Sequence, residues 1–503
     1  MSQLNRSTYS APVLPEKVLQ FGTGMLLRGL PDYFIHNANQ QGLFEGSIVI
    51  VKSTGGPTDT FAEQDGLYTM AVRGVAQGET ISDNTVITAV SRVLSAQTDW
   101  RAVLDLARKQ DLQVIISNTT EVGLNYVEES IFQSPPQSFP AKLTAFLYER
   151  FKNFGGSRSR GLVVIPTELL PDNGLLLRDA VEKLAQYNEL GRLFTKWMKF
   201  HVRFCNSLVD RIVTAPTDAV RAELTEQTGF ADALAIQTEP YRLWAIEGDD
   251  RVRDILSFAA ADPQVIIDED ISFYRERKLR ILNGTHTFSV PLAYLLGLET
   301  VYDANTHPLM APFIESLMRD EVVPTVPADT YTGGDGPAAL RQFADDVLDR
   351  FRNPATEHFL LNILMQETAK MKARNVATIE RYYEQFNQVP ARMALGFGAY
   401  LLFMKAVREE NGTYVGEVSV NGGVLTYPIR DDKAAYFYEA WQPVSPADPD
   451  AVRALVQRVC ADQALWDSDL SALPGFVDAV FTALNALLTV GPEAVLQEST
   501  IAG

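Results

Sequence analysis

Apolar positions in the first half of the chain fall into short β-branched runs separated by stretches with helical spacing, which predicts strands alternating with helices. Residues 18–21 read as a short buried strand that runs into the turn Gly22-Thr-Gly24, with a helix following over 30–39. The run Ser-Ile-Val-Ile-Val at 47–51 suits a parallel strand covered on both faces. Residues 85–93 read as another strand and 99–109 as a helix. A strand at 113–116 ends in Ser117-Asn-Thr-Thr-Glu121, and 161–165 is the last clear strand. The alternation implies an α/β fold with a Rossmann-type doubly wound sheet.

After about residue 272 the pattern changes to helical spacing, over 289–298, 308–320, 338–350, 357–374, 379–385, 391–409 and 451–461. Asn411-Gly412 and Asn421-Gly422 flank residues 413–420, which suggests a small β-hairpin insert or a turn. The expected division is therefore an N-terminal α/β domain, 1–272, and a mainly α-helical C-terminal domain, 273–503.

Composition narrows the class. A chain of 503 residues, 46% apolar and 21% charged, has the makeup of a globular protein of two or three domains. Its net charge of −19 argues against nucleic acid or an anionic membrane as a general partner. It leaves room for an anionic substrate held by a few local cations. Cys205 and Cys460 alone make no disulfide framework, and the five scattered histidines show no zinc spacing, so no metal is expected. With no secretory leader and no bilayer-length apolar run in view, the cytoplasm is the expected compartment.

Gly22 and Gly24 follow a strand and open a helix, the setting in which a glycine turn lets a backbone approach a dinucleotide pyrophosphate. The third glycine of that pattern is replaced by Leu27. The acid expected at the end of the second strand is also missing from Lys52-Ser53-Thr54, which leaves NAD and NADP both open. The second feature is the stretch Arg277-Lys-Leu-Arg-Ile-Leu-Asn-Gly-Thr-His286. Asn283 and His286, three apart, share one face of a helix, and Lys278 is expected just before it. A lysine, an amide and an imidazole supply a tunable base, a donor and a proton partner. The same residues also read as a solvated basic edge with a helix cap.

The Gly22, Gly24 and Arg28 turn and the Lys-x4-Asn-x2-His pattern at Lys278, Asn283 and His286 resemble those of the mannitol dehydrogenase group of polyol-specific long-chain dehydrogenases. Residues 19–22, 64–69, 117–121, 139–143, 208–214, 276–278 and 351–354 are similar to a keto-uronate-reducing subgroup, and the likeness runs nearly end to end. The resemblance implies a dinucleotide-binding domain at 1–272, a substrate and catalytic domain at 273–503, and reversible hydride transfer between NAD(H) and a sugar acid, without metal. It implies Lys278 as acid and base, Asn283 as the donor to the developing alkoxide, and His286 as the group that orients the hydroxyl. An ordinary lysine, near pKa ~10.4, needs burial or nearby cations for that task, and Arg275, Arg277 and Arg280 are candidates for the latter.

The resemblance further implies cofactor contacts at Phe21, Gly22, Thr23, Gly24, Met25, Leu26, Arg28, Ser53, Asn118 and Thr119. Substrate contacts are implied at Glu121, Asp210, His358, Lys370 and Arg374, the last three forming a cationic pattern suited to a carboxylate. Asp210 with Arg211 also reads as a buried ion pair, and the cations also read as a solvated helix face. Two departures stand out: Leu169 holds the place of a second oxyanion-hole Asn, and Asn362 that of a substrate-binding Arg. The expected partner is a small sugar acid, in a monomer or small homo-oligomer. Fructuronate or neutral polyols are alternative substrates, and a non-catalytic NAD(H) sensor is the alternative of another class.

Overall fold

A computed structural model of the chain describes residues 2–53, 58–420 and 423–501. It divides into two compact units: residues 1–74 with 80–271, and residues 75–79 with 272–503. In the first, six strands among the described residues form a wholly parallel sheet. They are β1 Glu16–Phe21, β2 Ser47–Lys52, β3 Val90–Ser95, β4 Val114–Ser117, β5 Val163–Pro166 and β6 Arg203–Phe204. Their order is β3-β2-β1-β4-β5-β6, with every neighbouring pair parallel. This is the doubly wound arrangement, and the strand order reverses between β1 and β4.

Alternation along the strands divides their side chains between two cores. Val18, Ile48, Ile50 and Ile116 join Phe34 and Ile35 of helix Pro31–Gln40 on one face. Leu19, Val49, Val51 and Ile115 join Trp100, Val103, Phe146 and Leu147 from helices Trp100–Leu106 and Phe139–Asn153 on the other. The strand predicted over residues 85–93 is in fact two. Glu79–Ile87 pairs in a four-stranded sheet with Tyr68–Ala76, and Val90–Ser95 begins β3. The break at Thr88 is set by tertiary structure: its backbone N–H donates to the buried His36 ring at 3.2 Å, which no local propensity signals.

The second unit is mainly helical. Ser272–Arg277 runs directly into a π-helical segment, Lys278–Gly284, and on into the fully buried α-helix Thr285–Leu295. Two more π-helical segments, Leu317–Val322 and Met371–Val376, occur among the described residues. Such segments are rare and concentrate at functional sites. Helices Gly336–Phe351, Ala377–Phe386 and Pro449–Cys460 fall where helical spacing placed them. The helix predicted over 391–409 stops at Phe403, because Ala406–Glu410 instead pairs antiparallel with Thr413–Val420. A third strand, Gly423–Ile429, completes the insert, while Asn421 and Gly422 lie outside the described residues. The helix predicted over 357–374 is broken: Gln366 has φ of +56°, and Glu367–Lys370 starts anew after it.

Candidate active site

In the first unit the turn after β1 has the shape a dinucleotide needs. Gly22 has φ of +129°, a conformation that strains any other residue, and an added Cβ would lie 3.1 Å from the Asn118 carbonyl oxygen of the β4 loop. Gly24 is extended and caps helix Met25–Gly29 without a side-chain acceptor, and nothing stands within 4 Å of where its Cβ would be. The start of that helix is therefore left without a side-chain cap, an arrangement compatible with a bound pyrophosphate. Thr23, Met25 and Leu26 belong to the same turn and are at least partly exposed, and Ser53 follows the end of β2.

Two residues expected to contact cofactor do not face outwards. The Phe21 ring is buried against Phe139, with centroids 5.1 Å apart, so only its backbone shapes the turn. Arg28 is turned inward: its guanidinium donates to the Leu234 carbonyl at 2.6 Å and lies over the Tyr68 ring. Asp32 is fully buried below it, and burial pushes its carboxyl up to about 7. The Asn118 and Thr119 side chains tie the end of β4 to the loop after β5. Asn118 donates to Thr167, and the Thr119 amide and hydroxyl both donate to the Glu168 carboxylate. Glu168 is buried and also accepts from Ser117 Oγ at 3.3 Å, tying the β5 loop to the end of β4. A lone glutamate after a strand carries no sequence signal, and this one was missed.

Glu121 opens a single 3-10 turn, and its side chain lies outside what the structure describes. Asp210 is buried at the end of strand Ser207–Asp210. Arg211, considered above as its ion-pair partner, gives its donors to the Gly29 and Glu239 carbonyls and stacks over Tyr33.

In the second unit the three residues expected to be catalytic, Lys278, Asn283 and His286, lie on one continuous helix. Lys278 is its first π-helical residue and not, as expected, a residue ahead of the helix. The difference matters, because residues five apart point roughly 140° away from each other on an α-helix. The wider i→i+5 turn brings Lys278 and Asn283 much nearer to one face. Gly284 is where this segment meets the π-helical segment Met371–Val376. A Cβ there would fall 2.9 Å from Asn375 Oδ1, and Asn375 Nδ2 donates to the Gly284 carbonyl at 3.3 Å. Arg280 fastens the same contact by donating to the carbonyls of Ala373 and Arg374 and pairing with Glu276 at 3.3 Å. Arg277 is buried among Phe273, Tyr274 and Phe343.

The contact between segments gathers most of the expected substrate residues around His286. Arg374 donates to Thr287 Oγ1 at 3.1 Å and to the Asn283 carbonyl at 3.4 Å. His286 is buried with its ring 4.1 Å from that of Phe351 and edge-on to His358 at 5.8 Å. Burial, then His358, Arg374, Arg350 and Lys370, hold it well below the usual imidazole range, so it is neutral, with one donor and one acceptor nitrogen. The same two causes, burial and nearby cations, lower His358. The Lys370 ammonium donates to the Ile363 carbonyl, and burial lowers its pKa too. These residues are not a solvated helix face: Lys370 and Arg374 are partly buried cations, grouped with His358 around a neutral imidazole. Phe351 and Arg350 were not anticipated as site residues, since both fall in an ordinary amphipathic helix.

A glycine turn at the switch point of a doubly wound sheet, with a lysine–amide–imidazole trio in a helical unit, defines a nicotinamide-dependent dehydrogenase. Models of the mannitol dehydrogenase Rossmann domain and the mannitol dehydrogenase C-terminal domain match residues 16–257 and 270–488, and the chain belongs to this family. It is 38% identical to an altronate oxidoreductase of Bacillus subtilis (strain 168), covering 100% of this chain and 99% of that one. A second altronate oxidoreductase, of Halalkalibacterium halodurans, is 35% identical over 97% of this chain and 94% of its own. Among solved structures, Pseudomonas fluorescens mannitol 2-dehydrogenase in ternary complex with NAD and D-mannitol superposes with TM-score 0.67 at 22% identity, covering both chains in full. A substrate-free D-sorbitol dehydrogenase gives 0.77 at 20% identity, over 98% of this chain and 100% of that one, so both share the fold. The chain is thus an NAD-dependent oxidoreductase of polyol or sugar-acid CH–OH groups. No helix among the described residues is long and apolar enough to cross a membrane.

Proposed function

We propose that this enzyme interconverts D-tagaturonate and D-altronate: D-tagaturonate + NADH + H⁺ ⇌ D-altronate + NAD⁺. The observation that carries the reading is the group of cations around the neutral His286, which suits a substrate bearing a carboxylate. Residues 1–272 bind the dinucleotide and 273–503 the sugar acid. Backbone at Gly22, Thr23, Gly24, Met25 and Leu26 holds the pyrophosphate, with Ser53, Asn118 and Thr119 completing that site. Bound NADH supplies the hydride to the carbonyl carbon, and NAD⁺ accepts it in the reverse direction.

Lys278 gives its proton to the carbonyl oxygen during reduction and takes it back during oxidation. The Asn283 amide donates to the oxygen as negative charge develops on it. The uncharged His286 fixes the neighbouring hydroxyl without adding a competing charge. Lys370 and Arg374, with His358, hold the carboxylate. The enzyme works in the cytoplasm as a monomer or small homo-oligomer, without nucleic-acid or membrane partners, in keeping with its net charge of −19. The test is a panel of keto-uronates and ketohexoses offered with NADH and NADPH in parallel. Lys370→Met is expected to raise KM for the keto-uronate about 10- to 100-fold, the range for one buried charged hydrogen bond. Mannitol turnover comparable to that of altronate refutes the assignment.

A further inference from the structure

Glu367 is a buried carboxyl among these cations that the mechanism above does not use. It follows Gln366, whose left-handed backbone is held from both sides: the Gln366 amide donates to the Arg430 carbonyl at 2.8 Å, and its side chain exchanges hydrogen bonds with Asp432. Glu367 is 0% exposed, and neither of its carboxyl oxygens has a hydrogen-bond partner. Lys370 lies one turn on and Arg374 a further turn, yet the Lys370 ammonium donates to the Ile363 carbonyl and Arg374 to Thr287 and Asn283. The groups facing Glu367 from packed elements are Asp431, which accepts from the Thr368 amide at 2.8 Å, and the Tyr400 hydroxyl, bonded to Thr368 Oγ1 at 2.8 Å. A buried carboxylate left without partners is costly, whereas a protonated carboxyl tolerates this setting.

We propose that Glu367 is a specificity-determining residue of the sugar-acid site: held uncharged, it leaves the positive charge of Lys370 and Arg374 to the substrate carboxylate. Ionised, it competes for the same cations and the substrate is released. The role rests on the sugar-acid reading given above. Burial, opposed by Lys370 and Arg374 and reinforced by Asp431, pushes the carboxyl up to about 8, so the competition sets in just above neutral pH.

The test follows KM for D-tagaturonate, and direct binding of D-altronate by calorimetry, from pH 7 to 9 in wild type and in Glu367→Gln, which mimics the protonated carboxyl. If only the uncharged form binds substrate, KM in wild type rises about tenfold over this range by proton linkage. In the glutamine variant the rise stays below about twofold. A neutral ketohexose serves as the second measurement on wild type, and its KM stays within about twofold across the same range. Equal rises in wild type and variant, or an equal rise for the neutral sugar, overturn the role of Glu367 while leaving the sugar-acid assignment intact. Absence of any turnover or binding of either sugar acid at every pH overturns that assignment, and the proposal with it.

Discussion

The contact between the π-helical segments Lys278–Gly284 and Met371–Val376 is close enough that one methyl group should disturb it. In Gly284→Ala the new Cβ meets Asn375 Oδ1 at 2.9 Å, and Asn375 is fully buried, so its amide must shift within packed surroundings. Overpacking of this kind costs about 1–3 kcal/mol. Displacing Asn375 also breaks its bond to the Gly284 carbonyl, about 1 kcal/mol more, while alanine's better helix propensity returns about 1 kcal/mol. The net expectation is a loss of about 1–3 kcal/mol, read as a lower urea midpoint at unchanged slope by far-ultraviolet circular dichroism. Because the same contact positions Asn283, His286 and Arg374, kcat should fall about 10- to 100-fold, with the KM for NADH unaltered. Asn375→Ala removes the obstacle, so the double variant should be less destabilised than the two single losses together, by about 1–2 kcal/mol. Full additivity, or a Gly284→Ala enzyme with wild-type stability and kcat, would show that close packing at this point does not hold the site.

Two further outcomes follow from the first unit. Gly22→Ala forces a side chain into φ of +129° against the Asn118 carbonyl, a strain of about 1–3 kcal/mol that distorts the turn. The Kd for NADH should rise about 10- to 100-fold by fluorescence titration, and an unchanged Kd would detach the turn from cofactor binding. His36 is buried and its pKa is lowered by burial to about 4, so the folded state holds it neutral while the unfolded chain protonates near 6.5. The unfolded state therefore binds the extra proton, and this contribution is intact above pH 6.5 and lost as the pH falls toward 4, by about 3 kcal/mol. His36→Gln should flatten the acid limb of a stability profile relative to wild type by that amount. Parallel profiles would assign the acid loss to other groups.

How far the sequence foretold the molecule depended on whether a feature was local. Buried parallel strands such as residues 47–51 and 113–116 announce themselves by β-branched runs, and the Gly22 turn by its position after one of them. The helical character of the second unit was equally plain. What failed was set by distant contacts: the break at Thr88, the strand Ala406–Glu410 that propensity read as helix, and the left-handed start at Gln366. The π-helical turn at Lys278 belongs with these, since the bonds of its own Arg280 to the Ala373 carbonyl and of Asn375 to its Gly284 carbonyl brace it against a segment about ninety residues away. Lys370 and Arg374 could be named from the family resemblance. Their grouping with His286, His358 and the unsuspected Glu367 required the fold, because helix breaks and π turns separate them along the chain.

The central claim is that Lys278 moves the proton in a sugar-acid dehydrogenase. It is tested most directly by following NADH absorbance with D-tagaturonate for wild type and Lys278→Ala, with NADH affinity measured alongside. The account predicts steady oxidation of NADH by wild type and a loss of about 10²- to 10⁴-fold in kcat for the variant, at unchanged Kd for NADH. A variant that keeps wild-type kcat, or a wild type indifferent to D-tagaturonate, would contradict it.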